Sequence, residues 1–187
     1  FHSEVFIVFF LPLILLLYFW SNLLKNFNPH IILILGGFAF YSWWNIHLAP
    51  LIIVSILSNF YFSHLLVGAS YKNQKKAILA ISIIFNICFL TVFKYLDFTI
   101  QNINFLLNTN IELVRLPFPL ALSFVTFQTI AYLVDCYDGN IKKINFTKFS
   151  LFIIFFPQLI AGPIVKYNEI IPQFVLKKIK SLIIRMF

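Results

Sequence analysis

Asn26–Tyr71, NFNPHIILILGGFAFYSWWNIHLAPLIIVSILSNFYFSHLLVGASY, runs for 46 residues without an Asp, Glu, Lys or Arg. A membrane-crossing helix needs about 20 consecutive apolar residues. This stretch has room for two. The rest of the chain agrees: 61% of residues are hydrophobic, 11% are charged, and the mean hydropathy is +0.93. A soluble domain carries about 25% charged residues, so a water-facing surface cannot be built here. The alternating apolar and polar segments that a membrane barrel needs are absent. The expected fold is all-α, a polytopic transmembrane helical bundle in the lipid bilayer.

Six apolar segments are expected. The first is Val5–Leu24, interrupted by Pro12, with Tyr18 and Trp20 as interface anchors. Ile31–Trp44 is shorter and ends in Phe40, Tyr41, Trp43 and Trp44, an aromatic belt. The third is Leu48–Val67 and the fourth Ala77–Phe93. From Asp97 to Arg115, apolar residues recur at helical spacing among amides, which predicts a short helix lying in the interface. The fifth segment is Leu116–Val134, its helix starting near Pro119 because proline suits a first turn. The sixth is Phe149–Val165. The tail from Val175 reads as a basic amphipathic helix.

The sixth segment contains Phe155-Phe156-Pro157-Gln158-Leu159-Ile160-Ala161-Gly162-Pro163-Ile164-Val165. A lipid-facing helix has no use for Pro157, Gly162 and Pro163 crowded together. Broken backbone at membrane depth is tolerated only where protein or a water-filled cavity surrounds it. This segment is therefore expected to be broken or re-entrant, with Gln158, Gly162 and Pro163 lining a cavity. Close helix packing through small residues is the competing reading.

The net charge of +8 suits anionic lipid headgroups, not nucleic acid. If all six segments cross, loops one, three and five hold Lys25, Lys72, Lys75, Lys76, Lys142, Lys143 and Lys148, while loops two and four hold Lys94 and Arg115. Positive charge retains loops in the cytoplasm, so the N-terminus is expected outside. Five basic residues from Lys166 to Arg185 then fall on the wrong side, unless the sixth segment turns back at its break or a downstream part that fixes the topology is expected beyond these residues.

The fifth segment carries Ser123, Thr126, Gln128, Thr129 and Tyr132. They line a tunnel, or they are packing glue between helices. Asp135, Tyr137 and Asp138 follow directly, either as a polar rim near the cytoplasmic mouth or as a turn that caps a helix. Asn145 is expected to cap the next helix. His2, His30, His47 and His64 lack the spacing of metal ligands, and neither a G-x-S-x-G elbow nor a phosphate-binding loop is present. No metal site is assigned.

Three stretches taken together carry a resemblance. They are Phe38–Trp44, the run from Leu120 through Gln128 and Tyr132 to Gly139, and Phe156–Pro163, with Phe93-Lys94-Tyr95 between them. In order and rough spacing they resemble the membrane-bound O-acyltransferase family, in its alginate and peptidoglycan O-acetyltransferase branch. The resemblance implies O-acetyl transfer from a cytoplasmic thioester donor, with acetyl-CoA as donor substrate and no bound cofactor. The acceptor would be an envelope polysaccharide or a periplasmic acetyltransferase partner, and the location a bacterial inner membrane.

Family members are longer, and the histidine regarded as catalytic lies downstream of the Ala-Gly-Pro motif. Residues 1–187 are thus expected to be the N-terminal part of one domain, truncated and inactive, with no catalytic residue among them. A non-catalytic scaffold or subunit is the alternative. A transporter fragment is a third, since broken helices line transport sites too.

Overall fold

Pro12 decides how the first helix begins. It offers no backbone N–H, and its ring crowds the carbonyl four residues back. The ladder widens to compensate: Phe6–Phe10 is a π-helical turn in which the N–H of Leu11 reaches back to the Phe6 carbonyl. It continues without a break into α1, Leu11–Leu23. The structure, a computed structural model, describes residues 4–24, 27–117, 119–162 and 165–175.

The helices that follow are α2 (His30–Trp44), a short 3-10 turn (Ile46–Leu48) leading into α3 (Ala49–Gly68), α4 (Lys72–Leu107), α5 (Leu122–Tyr137), α6 (Phe146–Ile154), α7 (Phe156–Ala161) and α8 (Tyr167–Val175). No strand occurs among the described residues. Among the described residues, three stretches are long and apolar enough to cross a membrane: Phe6–Leu23, Ile46–Gly68 and Lys72–Leu107. The α2 helix is apolar but shorter.

The chain forms two compact units, residues 1–40 with 145–187, and residues 41–144. In the second unit α3, α4 and α5 pack on one another. A pair of amides joins α3 to α4. Nδ2 of Asn59 donates to Oδ1 of Asn86 at 3.1 Å, and Nδ2 of Asn86 donates back at 2.6 Å. The second hydrogen of each amide goes to the carbonyl four residues earlier, Ser55 at 2.9 Å and Ser82 at 2.8 Å. Both asparagines are buried, so the closed pair leaves no amide hydrogen in apolar surroundings.

In the first unit, Ile14, Tyr18, Leu33, Leu151 and Phe156 form a buried cluster. Residues Phe149–Ile154 of α6 are all buried, Ser150 among them. Gly36 and Gly37 of α2 permit this packing. A Cβ on Gly36 would meet Ile14 Cδ1 at 3.0 Å, whereas a Cβ on Gly37 would overlap the carbonyl oxygen of Ile154.

The sixth segment is broken, as expected: α6 stops at Ile154, Phe155 is extended (φ −62°, ψ 100°), and Pro157 opens α7. Three other expectations change. The predicted interfacial helix after Asp97 does not exist separately, because no Gly or Pro interrupts residues 72–107 and α4 continues to Leu107. It stops where Asn108 turns left-handed (φ 47°), a conformation asparagine tolerates. The fifth helix starts at Leu122, after the left-handed Ala121, not near Pro119. Tyr18 is buried in the core and is no interface anchor, while Trp20 and Trp43 are exposed. Most of the predicted amphipathic tail and Pro163 lie outside the described residues.

Gly37→Ala is expected to cost about 1–3 kcal/mol, the usual penalty of overpacking against something that cannot move aside. Gly36→Ala should cost less, since the Ile14 side chain can shift. Thermal melting of the detergent-solubilised protein compares them, and equal melting points would refute the contact. Asn59→Leu and Asn86→Leu should each destabilise by about 1 kcal/mol, and the double variant by less than their sum.

Candidate functional site

Successive residues step by about 100° around a helix, so Val125, Thr126, Gln128, Thr129, Tyr132, Leu133 and Cys136 fall on one side of α5. All seven are buried, and α5 packs on both α3 and α4. The row is therefore polar groups set into a protein interior. Thr126 is satisfied locally, its hydroxyl donating to the Leu122 carbonyl at 2.8 Å. Thr129 is 1% exposed, and its hydroxyl finds no hydrogen-bond partner among the described residues. Ser123 lies off this row and is only partly buried. Close to the start of α5, a shallow crevice is lined by Tyr41, Ile52, Ser55, Phe89, Leu122 and Val125.

The end of α5 is built differently. Gly139 is left-handed (φ 78°). Its N–H donates to the Cys136 carbonyl at 3.3 Å, and the N–H of Asn140 to the Asp135 carbonyl at 2.9 Å. These two bonds make a Schellman cap. The carboxylate of Asp135 also accepts from Asn140 Nδ2 at 3.1 Å. Asp135 thus serves the turn twice, while Asp138 is the exposed C-cap residue and Tyr137 the last residue of the helix. Asn145 caps α6 as expected, its side chain accepting from the N–H of Lys148 at 3.0 Å.

Gln158 and Gly162 lie in the other unit, on α7 and just after it. The N–H of Gly162 donates to the Gln158 carbonyl at 3.1 Å. A Cβ on Gly162 would meet Gln158 Cγ at 2.6 Å and Cα at 2.9 Å. Gly162 is thus the residue that lets the chain leave α7 across the face of Gln158, which is buried. Phe156 anchors the motif from its other end. Its ring is 5.4 Å from Phe10, 5.8 Å from Phe40 and 6.0 Å from Phe6. Phe6 and Phe10 are the two ends of the π-helical turn that Pro12 imposes. Beyond the break α8 packs on α6, with Tyr167 edge-on to Phe152 at 5.4 Å.

The buried pair Asn59 and Asn86 escaped the sequence reading. Its signal was present: Ser55 with Asn59, and Ser82 with Asn86, repeat one Ser-x-x-x-Asn pattern inside otherwise apolar spans.

Comparison with known proteins gives this arrangement a context. A peptidoglycan O-acetyltransferase of Helicobacter pylori is 36% identical to this chain over 93% of its length. Proteins named probable alginate O-acetylase AlgI, from Pseudomonas syringae pv. tomato and Pseudomonas aeruginosa, are 32% and 29% identical over the same share. This chain is a homologue of membrane-bound O-acyltransferase-type enzymes. It spans 38%, 34% and 34% of the length of these three relatives. No family model matches it, nor does any solved structure. In this acyltransferase homologue, the stretches that carry the resemblance are the second half of α2, the whole of α5, and the motif around α7.

Because backbone bonds make the turn after α5, Asp138→Ala should leave stability within about 0.5 kcal/mol of the parent. Gly139→Ala, forced into a left-handed conformation, should cost about 1 kcal/mol. Comparing the two melting points checks this cap, and a larger loss for Asp138→Ala would contradict it.

Proposed function

We propose that this chain is part of a membrane O-acetyltransferase that moves an acetyl group from acetyl-CoA on the cytoplasmic face to a hydroxyl of an envelope polysaccharide. Alginate and peptidoglycan are the acceptors favoured by the names of the relatives. The acceptor is reached directly or through a periplasmic acetyltransferase partner, in a bacterial inner membrane. The observation that carries the reading is the buried polar row of α5, with the Thr129 hydroxyl lacking a partner in the described protein. A buried hydroxyl without a hydrogen bond costs stability. Its retention makes sense if a substrate passing along the helix supplies the bond.

The roles follow from chemistry. Thr129, Gln128 and Tyr132 offer hydroxyl and amide groups to the acyl donor or to the accepting sugar. In the other unit, Gln158 has two N–H donors and a carbonyl acceptor to offer a ligand of its own, and Gly162 lets the backbone turn beside it; Pro163 is proposed with them from its place in the motif. Ser123 contributes less, being off the buried row. Asp135, Tyr137 and Asp138 form the donor-side rim at the end of α5. Removal of the hydroxyl proton falls to a general base elsewhere in the complete enzyme.

Thr129→Val separates this reading from simple packing. Valine matches the shape of threonine and removes a hydroxyl that has no partner, so the melting point should stay level or rise. Transfer of radiolabelled acetyl from acetyl-CoA to added alginate or peptidoglycan, in membranes containing the complete enzyme of which this chain is part, should fall about tenfold, the loss of about 1.4 kcal/mol. Unchanged transfer would make the row packing alone. If the complete parent enzyme labels neither polymer, the acetyl-transfer reading itself fails.

A further inference from the structure

The distal end of α4 exposes large apolar side chains among its amides. The helix has 36 residues, about 54 Å at 1.5 Å per residue. A bilayer is about 40–45 Å thick with its headgroups. If α4 stood upright, its last turns would project into solution. Yet Phe98 is 64% exposed, Phe105 83% and Leu106 75%. From Phe98 to Ile111 there is no Asp, Glu, Lys or Arg, where a surface in water would carry about one charge in four residues.

These side chains continue a stripe. At 100° per residue, Ile81, Ile84, Tyr95, Phe98, Phe105 and Leu106 share one side of α4, and all are exposed. The opposite side carries Ser82 and Asn86, which are buried. The exposed stripe from Ile81 to Leu106 is about 38 Å long. Hydrocarbon about 30 Å thick accommodates it at a tilt of about 38°, inside the range helices adopt.

The chain beyond α4 is also finished for a place with little water. It folds back along the helix, and side chains of α4 take its backbone groups. Asn104 accepts from the N–H of Ile111 at 2.9 Å and donates to its carbonyl at 2.8 Å. Asp97 accepts from the N–H groups of Val114 at 2.9 Å and Arg115 at 3.0 Å. Thr109 donates its hydroxyl to Asn104 at 2.8 Å. In water such groups need no help, whereas among lipid they must be satisfied internally. The returning segment presents Ile111 and Val114, 49% and 54% exposed.

We propose that α4 crosses the bilayer steeply tilted, and that its last three turns with the returning segment 109–115 form a lipid-binding surface. This surface lies along the boundary between headgroups and acyl chains, on the face opposite Lys72, Lys75 and Lys76. The occupant is the bilayer itself. The stripe on α4 continues along the exposed side of the same helix and carries no Asp, Glu, Lys or Arg from Phe98 to Leu107, while the exposed Glu112 and Arg115 of the returning segment suit the headgroup level.

Nitroxide labels on single cysteines test this in the whole chain. Cys88→Ser removes the exposed thiol, and buried Cys136 stays. Labels go on Ile84→Cys, Phe98→Cys, Phe105→Cys and, as the aqueous reference, Lys76→Cys. The protein sits in phosphatidylethanolamine and phosphatidylglycerol vesicles. The ratio of oxygen to nickel-chelate collisions at 98 and 105 should match that at 84 and exceed that at 76 several-fold. A ratio at 98 and 105 equal to that at 76 would place this end in water and overturn the proposal. Labels immobilised and shielded from both quenchers would overturn it as well, by putting protein there instead of lipid.

Discussion

The contact on which the motif region depends is between a backbone carbonyl and a glycine. At Ile154 the α6 helix stops, and its last carbonyl oxygen sits where a Cβ of Gly37 would be. Any larger residue at 37 would push the end of α6 away from α2. The aromatic cluster then sets the angle at which the chain leaves: Phe156 meets Phe6, Phe10 and Phe40. The break at Phe155 is thus clamped on both sides, one turn before Gln158. A helix end that no lipid could tolerate persists because protein surrounds it.

The same logic explains why a proline near the start of the chain matters to a motif far from it in sequence. Pro12 removes a hydrogen bond from the first helix, and the π-helical turn is the local remedy. That turn keeps Phe6 and Phe10 stacked at 5.5 Å and directed at Phe156. Such turns cluster at functional sites. Here the reason is visible, because the two rings it carries hold the broken segment.

What was legible in the sequence was composition and punctuation. The uncharged run from Asn26 to Tyr71 identified the membrane solvent, the crowding of Pro157, Gly162 and Pro163 identified the break, and Asn145 identified a cap. What was not legible depended on partners. The expected fourth span ends at Phe93, and a separate interfacial helix is expected from Asp97. Folded, the Asp97 carboxylate receives backbone N–H groups from the returning segment, so α4 runs through it. Tyr18 looked like an interface anchor because phenols favour headgroups, yet Ile14 and Leu33 cover it. In the candidate site the face of α5 could be read from its spacing. That Gly162 serves Gln158, and that Asp135 serves a cap, needed coordinates.

The two polar devices inside the apolar helices differ in a way that separates architecture from chemistry. Asn59 and Asn86 satisfy each other and their own helices in a closed set of four hydrogen bonds. Such a set fixes the register of α3 against α4 and leaves no N–H to offer a ligand. On α5 the row is open, since Thr126 bonds its own helix while the hydroxyl of Thr129, three residues on, has no partner among the described residues. Burial is nearly complete in both places, so polarity in the membrane does not by itself mark a site. The open hydroxyl of Thr129 is the group that the proposed substrate would satisfy, since a buried hydroxyl without a hydrogen bond costs stability.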